Sequence, residues 1–218
     1  MAANIITLGR IILVFLVIIL FQAGFYLRLL AVLLTIVVIY LDSLDGYVAR
    51  KLGVASDFGA LFDITGDRIV EHIFLIFYAA MGVVSFWVPL IFVTRSFLVD
   101  TLRSVAYSRE GKTPFGAKTM MKSPLTRFLT ASRFSRAVYG VSKVVAFVLL
   151  GLILALERGF RNGMQPIPLN WFKSGVYITT IIVWIMVVFN LIRGIPVLID
   201  GRFYLFDKYL PRSLKGDS

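Results

Sequence analysis

Residues 41–70 of the chain read LDSLDGYVARKLGVASDFGALFDITGDRIV, and no other stretch constrains the fold as strongly. It contains two pairs of aspartates, Asp42 with Asp45 and Asp63 with Asp67, in a chain that is 59% hydrophobic and only 16% charged. An ionised carboxylate at bilayer depth costs about 2.5–3.5 kcal/mol on insertion scales, so such side chains face the interior of a helix bundle. The stretch therefore predicts a membrane bundle built around these acids.

The spacing of the aspartates predicts how they meet. Asp42 and Asp45 are three apart, and Asp63 and Asp67 are four apart, so on helices each pair lies on one face. Two consecutive helices turned toward each other would bring four carboxylates to one point, which only cations make tolerable. The chain has no cysteine and one histidine, so a metal here must take oxygen ligands, which favours Mg2+, Mn2+ or Ca2+. Four carboxylates suit a pair of divalent ions that clamps the oxygens around a phosphorus.

Composition places the chain among membrane proteins, because soluble domains carry about 25% charged residues. A hydrocarbon core of about 30 Å needs helices of about 20 apolar residues. We therefore predict an all-α fold, a single domain over residues 1–218 that forms an integral membrane bundle of six transmembrane helices. The first span is expected to be a membrane helix and not a cleaved leader. The predicted spans are residues 5–23, 27–49, 60–82, 85–106, 136–156 and 175–193.

Glycine and proline predict the helix ends. Gly82 and Ser85 stand at the short turn between the third and fourth predicted spans. Pro89 is expected to kink the fourth span, and Pro196 to end the sixth.

Loop charge predicts the orientation. Residues 108–136 form a basic segment with seven lysines and arginines against the single acid Glu110. The positive-inside rule places this segment in the cytoplasm, together with both termini and the aspartate end of the second and third spans. Apolar side chains interleave with its lysines and arginines as in an interfacial helix on anionic lipid, and a solvated loop is the alternative. These apolar residues are Phe115, Leu125, Phe128 and Leu129. The net charge of +11 favours anionic lipids or phosphate substrates as partners over nucleic acid.

The full pattern in this stretch is Asp42-x2-Asp45-Gly46-x2-Ala49-Arg50-x8-Gly59-x3-Asp63-x3-Asp67. It resembles the signature of the CDP-alcohol phosphotransferase family (CDP-alcohol phosphatidyltransferases) at every defined position. The resemblance implies an enzyme that uses a CDP-lipid, releases CMP and transfers the substituted phosphate to an alcohol with two Mg2+ or Mn2+ ions. It also implies roles for the residues of the pattern. The metal ligands would be Asp42, Asp45, Asp63 and Asp67, and Asp67 would also be the general base. The CDP pocket would be formed by Gly46, Ala49, Arg50 and Gly59.

A second set of basic residues bears on the acceptor alcohol. Their positions in the later spans predict a pocket for an acceptor phosphate, formed by Arg95, Arg103, Lys143 and Arg193. The Arg95-x7-Arg103 spacing, the opening Asn4-x2-Thr7-x2-Arg10 and, more weakly, the segment around Lys143 are similar to the phosphatidylglycerophosphate synthase branch of the family. That similarity implies sn-glycerol 3-phosphate as the acceptor. Inositol phosphate, inositol or serine remain alternatives because Ser96 and Val145 depart from the branch pattern.

The acids also have other interpretations. The aspartates could cap a helix end, or pair with Arg50 or Arg68, and Glu71 and His72 are expected to be structural. A cation transporter would also place acids inside a membrane, but spread over several spans and both faces. A lipid-binding scaffold without catalysis is a further alternative. The family resemblance implies that the protein forms a homodimer. The predicted orientation places the protein in the plasma membrane with its site facing the cytoplasm.

Overall fold

The computed structural model describes residues 2–51, 57–110, 123–164 and 166–206, and the side chains of residues 42–51 lie outside the described part. Every regular element within these ranges is a helix, which confirms the all-α prediction for them. In chain order the helices are α1 (Ala2–Phe21), α2 (Phe25–Lys51), α3 (Asp57–Ala80), α4 (Trp87–Glu110), α5 (Pro124–Ala131), α6 (Arg133–Arg161) and α7 (Leu169–Phe206).

Three stretches among the described residues are long and apolar enough to cross a bilayer. They are Asn4–Phe21 in α1, Ala137–Arg161 in α6 and Leu169–Arg202 in α7, and a shorter apolar stretch, Phe25–Leu41, lies in α2. They correspond to the first, fifth and sixth predicted spans and to the apolar part of the second, and they identify an integral membrane protein. Helices α3 and α4 are each 24 residues long but carry several charged side chains. The count of six spans therefore stays a prediction.

Glycine ends two of the helices. Gly82 and Gly163 have φ angles of 76°, the left-handed conformation that glycine adopts without steric cost. After Gly82, Val83 N–H donates to the Tyr78 carbonyl over 3.1 Å. After Gly163, Met164 N–H donates to the Gly159 carbonyl over 3.0 Å. Both closures are Schellman motifs, which satisfy the last carbonyls of a helix, and the turn predicted near Gly82 is confirmed.

Proline does not end the last helix. Pro196 lies inside α7, which continues to Phe206, so the prediction that the sixth span ends there is wrong. Proline has no N–H to donate to the Ile192 carbonyl, but membrane helices tolerate such a gap when local adjustments satisfy the freed group. Pro89 is the third residue of α4, in the first turn, where a missing N–H disrupts no helical bond.

The chain divides into two compact units. The first comprises residues 1–93 and 138–188, and the second comprises residues 94–137 and 189–218. In the first unit, α1 packs against α2 and α3. Its centre is a cluster of aromatic rings with centroids 5.5–6.2 Å apart, and the Tyr78 hydroxyl donates to the Phe147 carbonyl over 3.0 Å. The rings are Phe21, Phe74, Phe77, Tyr78 and Phe147.

The second unit contains α5, which lies within the predicted basic segment. Thr126 of α5 donates its hydroxyl hydrogen to Asp200 Oδ2 of α7 over 2.8 Å, and Ser135 Oγ donates to the Leu129 carbonyl over 2.7 Å. Val99, Ala106 and Val197 form the buried apolar core of this unit. Residues 111–122 of the basic segment lie outside the described residues, so its interfacial or solvated character stays a prediction.

Candidate active site

Helix α3 holds one of the two predicted aspartate pairs. Asp63 and Asp67 are four residues apart in α3, so their side chains leave the helix on the same face, about 6 Å apart along its axis. The Oδ1 atom of Asp63 is buried, whereas the Asp67 side chain is 41% exposed. One oxygen of the half-buried Asp63 is therefore shielded, while Asp67 has an accessible face.

Asp67 is paired with an arginine from the first helix. Arg10 Nη2 of α1 lies 3.3 Å from Asp67 Oδ1, and the Arg10 side chain is only 1% exposed. Arg10 lies on a buried stripe of α1 that also contains Thr7, Val14, Val17 and Phe21. The three- and four-residue spacing of this stripe matches one face of a helix packed against a neighbour. The arginine is thus placed by the register of α1 and held next to the site.

A glycine makes the approach of α1 to α3 possible. Gly66, which lies between Asp63 and Asp67 in the sequence, is buried. A Cβ added there would collide with Thr7 Cγ2 and lie 3.3 Å from Arg10 Nη2. Any larger residue at position 66 would have to displace the α1 side chains. Small residues at helix contacts in membranes allow this kind of close approach.

The other half of the predicted site is in α2. Asp42, Asp45, Gly46, Ala49 and Arg50 lie in this helix, but their side chains lie outside the described part. Gly59 lies in the first turn of α3 and is half-buried. The convergence of four aspartates and the predicted CDP pocket therefore stay predictions.

The described donors fit a hard divalent cation. Carboxylate oxygens are the ligands that Mg2+ and Mn2+ prefer, and one of them, Asp63 Oδ1, is shielded from solvent. No three histidine, aspartate or glutamate side chains are grouped to hold a metal ion within the described residues. The side chains of Asp42 and Asp45, which supply half of the predicted ligand set, lie outside these residues.

One turn after Asp67, a buried glutamate connects α3 to α6. Glu71 is 1% exposed, with Oε2 lying 3.0 Å from Arg68 Nη1 and Oε1 lying 3.7 Å from Lys143 Nζ. The Tyr139 hydroxyl donates to Glu71 Oε1 over 2.8 Å. Arg68 and Lys143 therefore neutralise a carboxylate that is predicted to be structural. Lys143, predicted to bind the acceptor phosphate, lies in the first unit with this glutamate as a partner.

The other three predicted acceptor residues lie in the second unit. Arg95 of α4 is buried, and a Cβ at Gly194 of α7 would approach its Nε to 2.5 Å and its Cγ to 2.8 Å. Gly194 therefore makes room for the Arg95 side chain, beside the half-buried Arg193. Arg103 lies two turns after Arg95, with Nη1 3.4 Å from Asp100 Oδ1. The structure thus brings the Arg193 segment of α7 next to Arg95.

Arg10 is not among the predicted site residues, although it belongs to the opening pattern Asn4-x2-Thr7-x2-Arg10. Arg10 is the only charged residue in α1, and an ionisable residue within a membrane helix marks a functional position in its own right. That signal was available from the sequence. The partner was not, because Asp67 is 57 positions away and the pairing depends on how α1 packs against α3.

Comparison with known proteins supports the pattern in this site. The family model described as CDP-alcohol phosphatidyltransferase matches residues 1–194. A Mycoplasma genitalium protein named "CDP-diacylglycerol--glycerol-3-phosphate 3-phosphatidyltransferase" is 36% identical over 69 residues, 32% of this chain and 29% of that protein. A Rickettsia typhi protein with the same name is 29% identical over 126 residues, 57% of this chain and 71% of that protein.

A third relative comes from Mycobacterium tuberculosis strain H37Rv. It is named "Probable phosphatidylglycerophosphate synthase" and is 33% identical over 116 residues, 51% of this chain and 55% of that protein. The chain spans under a third of the length of the Mycoplasma relative and about half that of the mycobacterial one. The family match is broader, covering all four aspartates and most of the chain. The chain therefore belongs to the CDP-alcohol phosphatidyltransferase family.

Proposed function

We propose that this chain is a membrane phosphatidyltransferase of phospholipid biosynthesis. It transfers the phosphatidyl group from a CDP-lipid, CDP-diacylglycerol, to sn-glycerol 3-phosphate and releases CMP. The observation that carries the proposal is the placement of Asp63 and Asp67 on one face of α3, within the stretch that the family model matches. The names of the relatives support glycerol 3-phosphate as the acceptor.

In the proposed reaction, Asp67 takes the proton from the acceptor hydroxyl. The hydroxyl oxygen forms a bond to the phosphorus that carries the lipid, and the bond from that phosphorus to the CMP oxygen breaks. Two Mg2+ or Mn2+ ions, when bound by Asp42, Asp45, Asp63 and Asp67, would neutralise charge on the phosphate oxygens. Positioning and charge neutralisation supply most of the acceleration in phosphoryl transfer.

The remaining predicted residues bind the two substrates. Gly46, Ala49, Arg50 and Gly59 shape the CDP pocket, and the Arg50 guanidinium suits a phosphate because it can donate two parallel hydrogen bonds. The acceptor phosphate is bound by basic side chains from the later helices, namely Arg95, Arg103, Lys143 and Arg193. Both substrates are phosphorylated, in keeping with the net charge of +11.

The proposed enzyme is one domain with six membrane spans, in which α3 and α4 serve as the third and fourth. Both termini and the aspartate end of the bundle face the cytoplasm of a cell whose plasma membrane holds the protein. This orientation follows from the excess of basic residues in residues 108–136 and the positive-inside rule. The acyl chains of the donor stay in the bilayer, and two copies of the chain form a homodimer.

A direct assay tests the proposal. Purified protein is incubated with labelled CDP-diacylglycerol, Mg2+ or Mn2+, and in separate reactions glycerol 3-phosphate, inositol phosphate, inositol or serine. We expect one CMP released for each phosphatidylglycerophosphate formed with glycerol 3-phosphate. The Asp67→Asn variant should lose turnover. The control variant Glu157→Gln should retain it, because Glu157 lies near the C-terminal end of α6 and pairs with the exposed Arg161.

Each contrary result has a distinct meaning. Equal turnover by Asp67→Asn would remove that residue from its role, and stoichiometric product with another acceptor would replace glycerol 3-phosphate. Ion uptake into liposomes without any CMP would contradict the transferase and favour a transporter.

A further inference from the structure

We propose that Arg10 is a positioning residue, which holds the Asp67 carboxylate in its working orientation. The proposal deepens the proposed function, since it assumes that Asp67 acts in the transfer. It rests on the ion pair between Arg10 Nη2 and Asp67 Oδ1 at 3.3 Å, in which the arginine is 1% exposed and the aspartate 41% exposed.

The burial of the Arg10 guanidinium requires a compensating anion. A guanidinium inside a membrane helix is costly unless an anion or carbonyl compensates it, and Asp67 is the carboxylate that lies next to it. The accessible face of Asp67 remains available to substrates, while the arginine restricts how the carboxylate can rotate.

The surroundings of Arg10 restrict its own movement. Thr7, one turn earlier on the same stripe of α1, is buried and meets α3 at Gly66, whose Cβ position is 3.3 Å from Arg10 Nη2. The guanidinium is therefore confined between the backbone of α3 and the side chains of its own helix. A side chain confined in this way can fix the geometry of a neighbouring carboxylate.

Buried arginine by itself does not imply this role, as a second arginine shows. Arg28 of α2 is also buried, but its Nε donates to the Ala23 carbonyl over 3.2 Å and its Nη1 to the Leu154 carbonyl over 2.7 Å. Both of these hydrogen bonds go to backbone carbonyls, and neither goes to a candidate site residue. Arg28 is thus the matched control for losing a buried guanidinium.

The kinetic test compares Arg10→Met and Arg10→Lys with Arg28→Met. We expect Arg10→Met to lower kcat by about 10- to 100-fold, because small displacements of a reacting group have effects of this size. The KM for CDP-diacylglycerol should change by less than about threefold. Arg10→Lys should recover part of the loss, because it restores the charge without the planar fork. Arg28→Met should lower the Tm and leave kcat of the folded enzyme near wild type.

A stability cycle tests the pairing without relying on activity. Asp67→Asn leaves the Arg10 cation buried without its charged partner, so its Tm should fall by about 3–8 °C. The double variant with Arg10→Met should regain most of that loss, whereas Asp67→Asn combined with Arg28→Met should lose the sum of the two single shifts. These measurements are made on the full chain in detergent, without metal or substrate.

The outcomes separate this inference from the proposed function. Wild-type kcat in Arg10→Met, or additive Tm shifts for Arg10 and Asp67, would overturn the positioning role while leaving the transferase intact. A wild-type chain that releases no CMP would overturn the transferase and with it the catalytic meaning of the pair. If Arg10→Met does not fold, the Arg10→Lys variant decides the kinetic question, and wild-type kcat in that variant would count against the proposal.

Discussion

The Glu71 carboxylate is the most enclosed acid among the described residues. Removing a carboxylate from water is offset only when cations and hydrogen-bond donors surround it, and here Arg68, Lys143 and the Tyr139 hydroxyl do so. Glu71 and Arg68 lie in α3, whereas Lys143 and Tyr139 lie in α6. The group therefore ties α3 to α6 one turn away from Asp67.

Replacing Glu71 with glutamine tests this interpretation. We expect Glu71→Gln to destabilise the protein by about 1–3 kcal/mol, because it leaves two half-buried cations, Arg68 and Lys143, without their anion. Glu157→Gln is the control, since Glu157 pairs with an arginine that is 70% exposed and such pairs contribute about 0–1 kcal/mol. Thermal and chemical unfolding of both variants measures the difference. Equal unfolding midpoints would show that the buried group contributes no more than a surface pair.

Single residues also show what sequence could and could not predict. The pairing of Asp63 with Asp67 on one face followed from a spacing of four, because a helix has a fixed period. The partners of Asp67 and Glu71 could not be predicted, since Arg10 and Lys143 come from helices whose rotation about their axes depends on packing. For Lys143 the sequence predicted a substrate role, and the structure adds a protein partner that the prediction lacked.

Helix α6 passes close to three other helices at a glycine. A Cβ added to Gly151 would lie 2.9 Å from Phe21 Cζ, 3.2 Å from Val32 Cγ2 and 3.3 Å from Tyr78 Oη. These atoms belong to α1, α2 and α3. The missing side chain therefore sets how closely α6 packs in the first unit. Gly140, eleven residues earlier in α6, has no atom within 4 Å of its Cβ position.

The two glycines should respond differently to alanine. Gly151→Ala is expected to be about 1–3 kcal/mol less stable than Gly140→Ala, because overpacking costs that much while both variants gain helix propensity. The unfolding midpoints of the two variants in the same detergent give the comparison. A Gly151→Ala protein as stable as Gly140→Ala would mean that the helices move apart without cost.

At the level of helices, hydropathy predicted the location of the membrane spans better than proline predicted where a helix ends. The apolar stretches of α1, α6 and α7 are where the sequence placed membrane spans, because about 20 apolar residues have few other stable arrangements. The predicted end of α7 was wrong, because membrane helices tolerate proline in their interior when neighbouring groups satisfy the freed carbonyl. Apolar residues on both sides of Pro196 favour continuing the helix in a bilayer.

The protein as a whole is predicted to have a defined orientation in its membrane. With six spans and cytoplasmic termini, Ser108 at the end of α4 faces the cytoplasm and Asn162 after α6 faces outward. Both residues are exposed. The chain contains no cysteine, so label found on the purified chain comes from the introduced thiol alone.

Single-cysteine labelling tests this orientation. In intact cells, a membrane-impermeant maleimide should label the Asn162→Cys variant, and it should label Ser108→Cys only after the membrane is permeabilised. The unaltered chain serves as the blank. Labelling of both variants from outside would refute the six-span arrangement, and the reversed pattern would invert it.

Arg28 has a consequence for how this chain tolerates sequence change. Its guanidinium recognises the peptide carbonyls of Ala23 and Leu154, and every amino acid supplies such a carbonyl. The residues at positions 23 and 154 can therefore vary in identity, within the space available, without loss of either bond. The requirement for a forked, permanently charged donor falls on position 28 alone, where lysine cannot reproduce the same two directions.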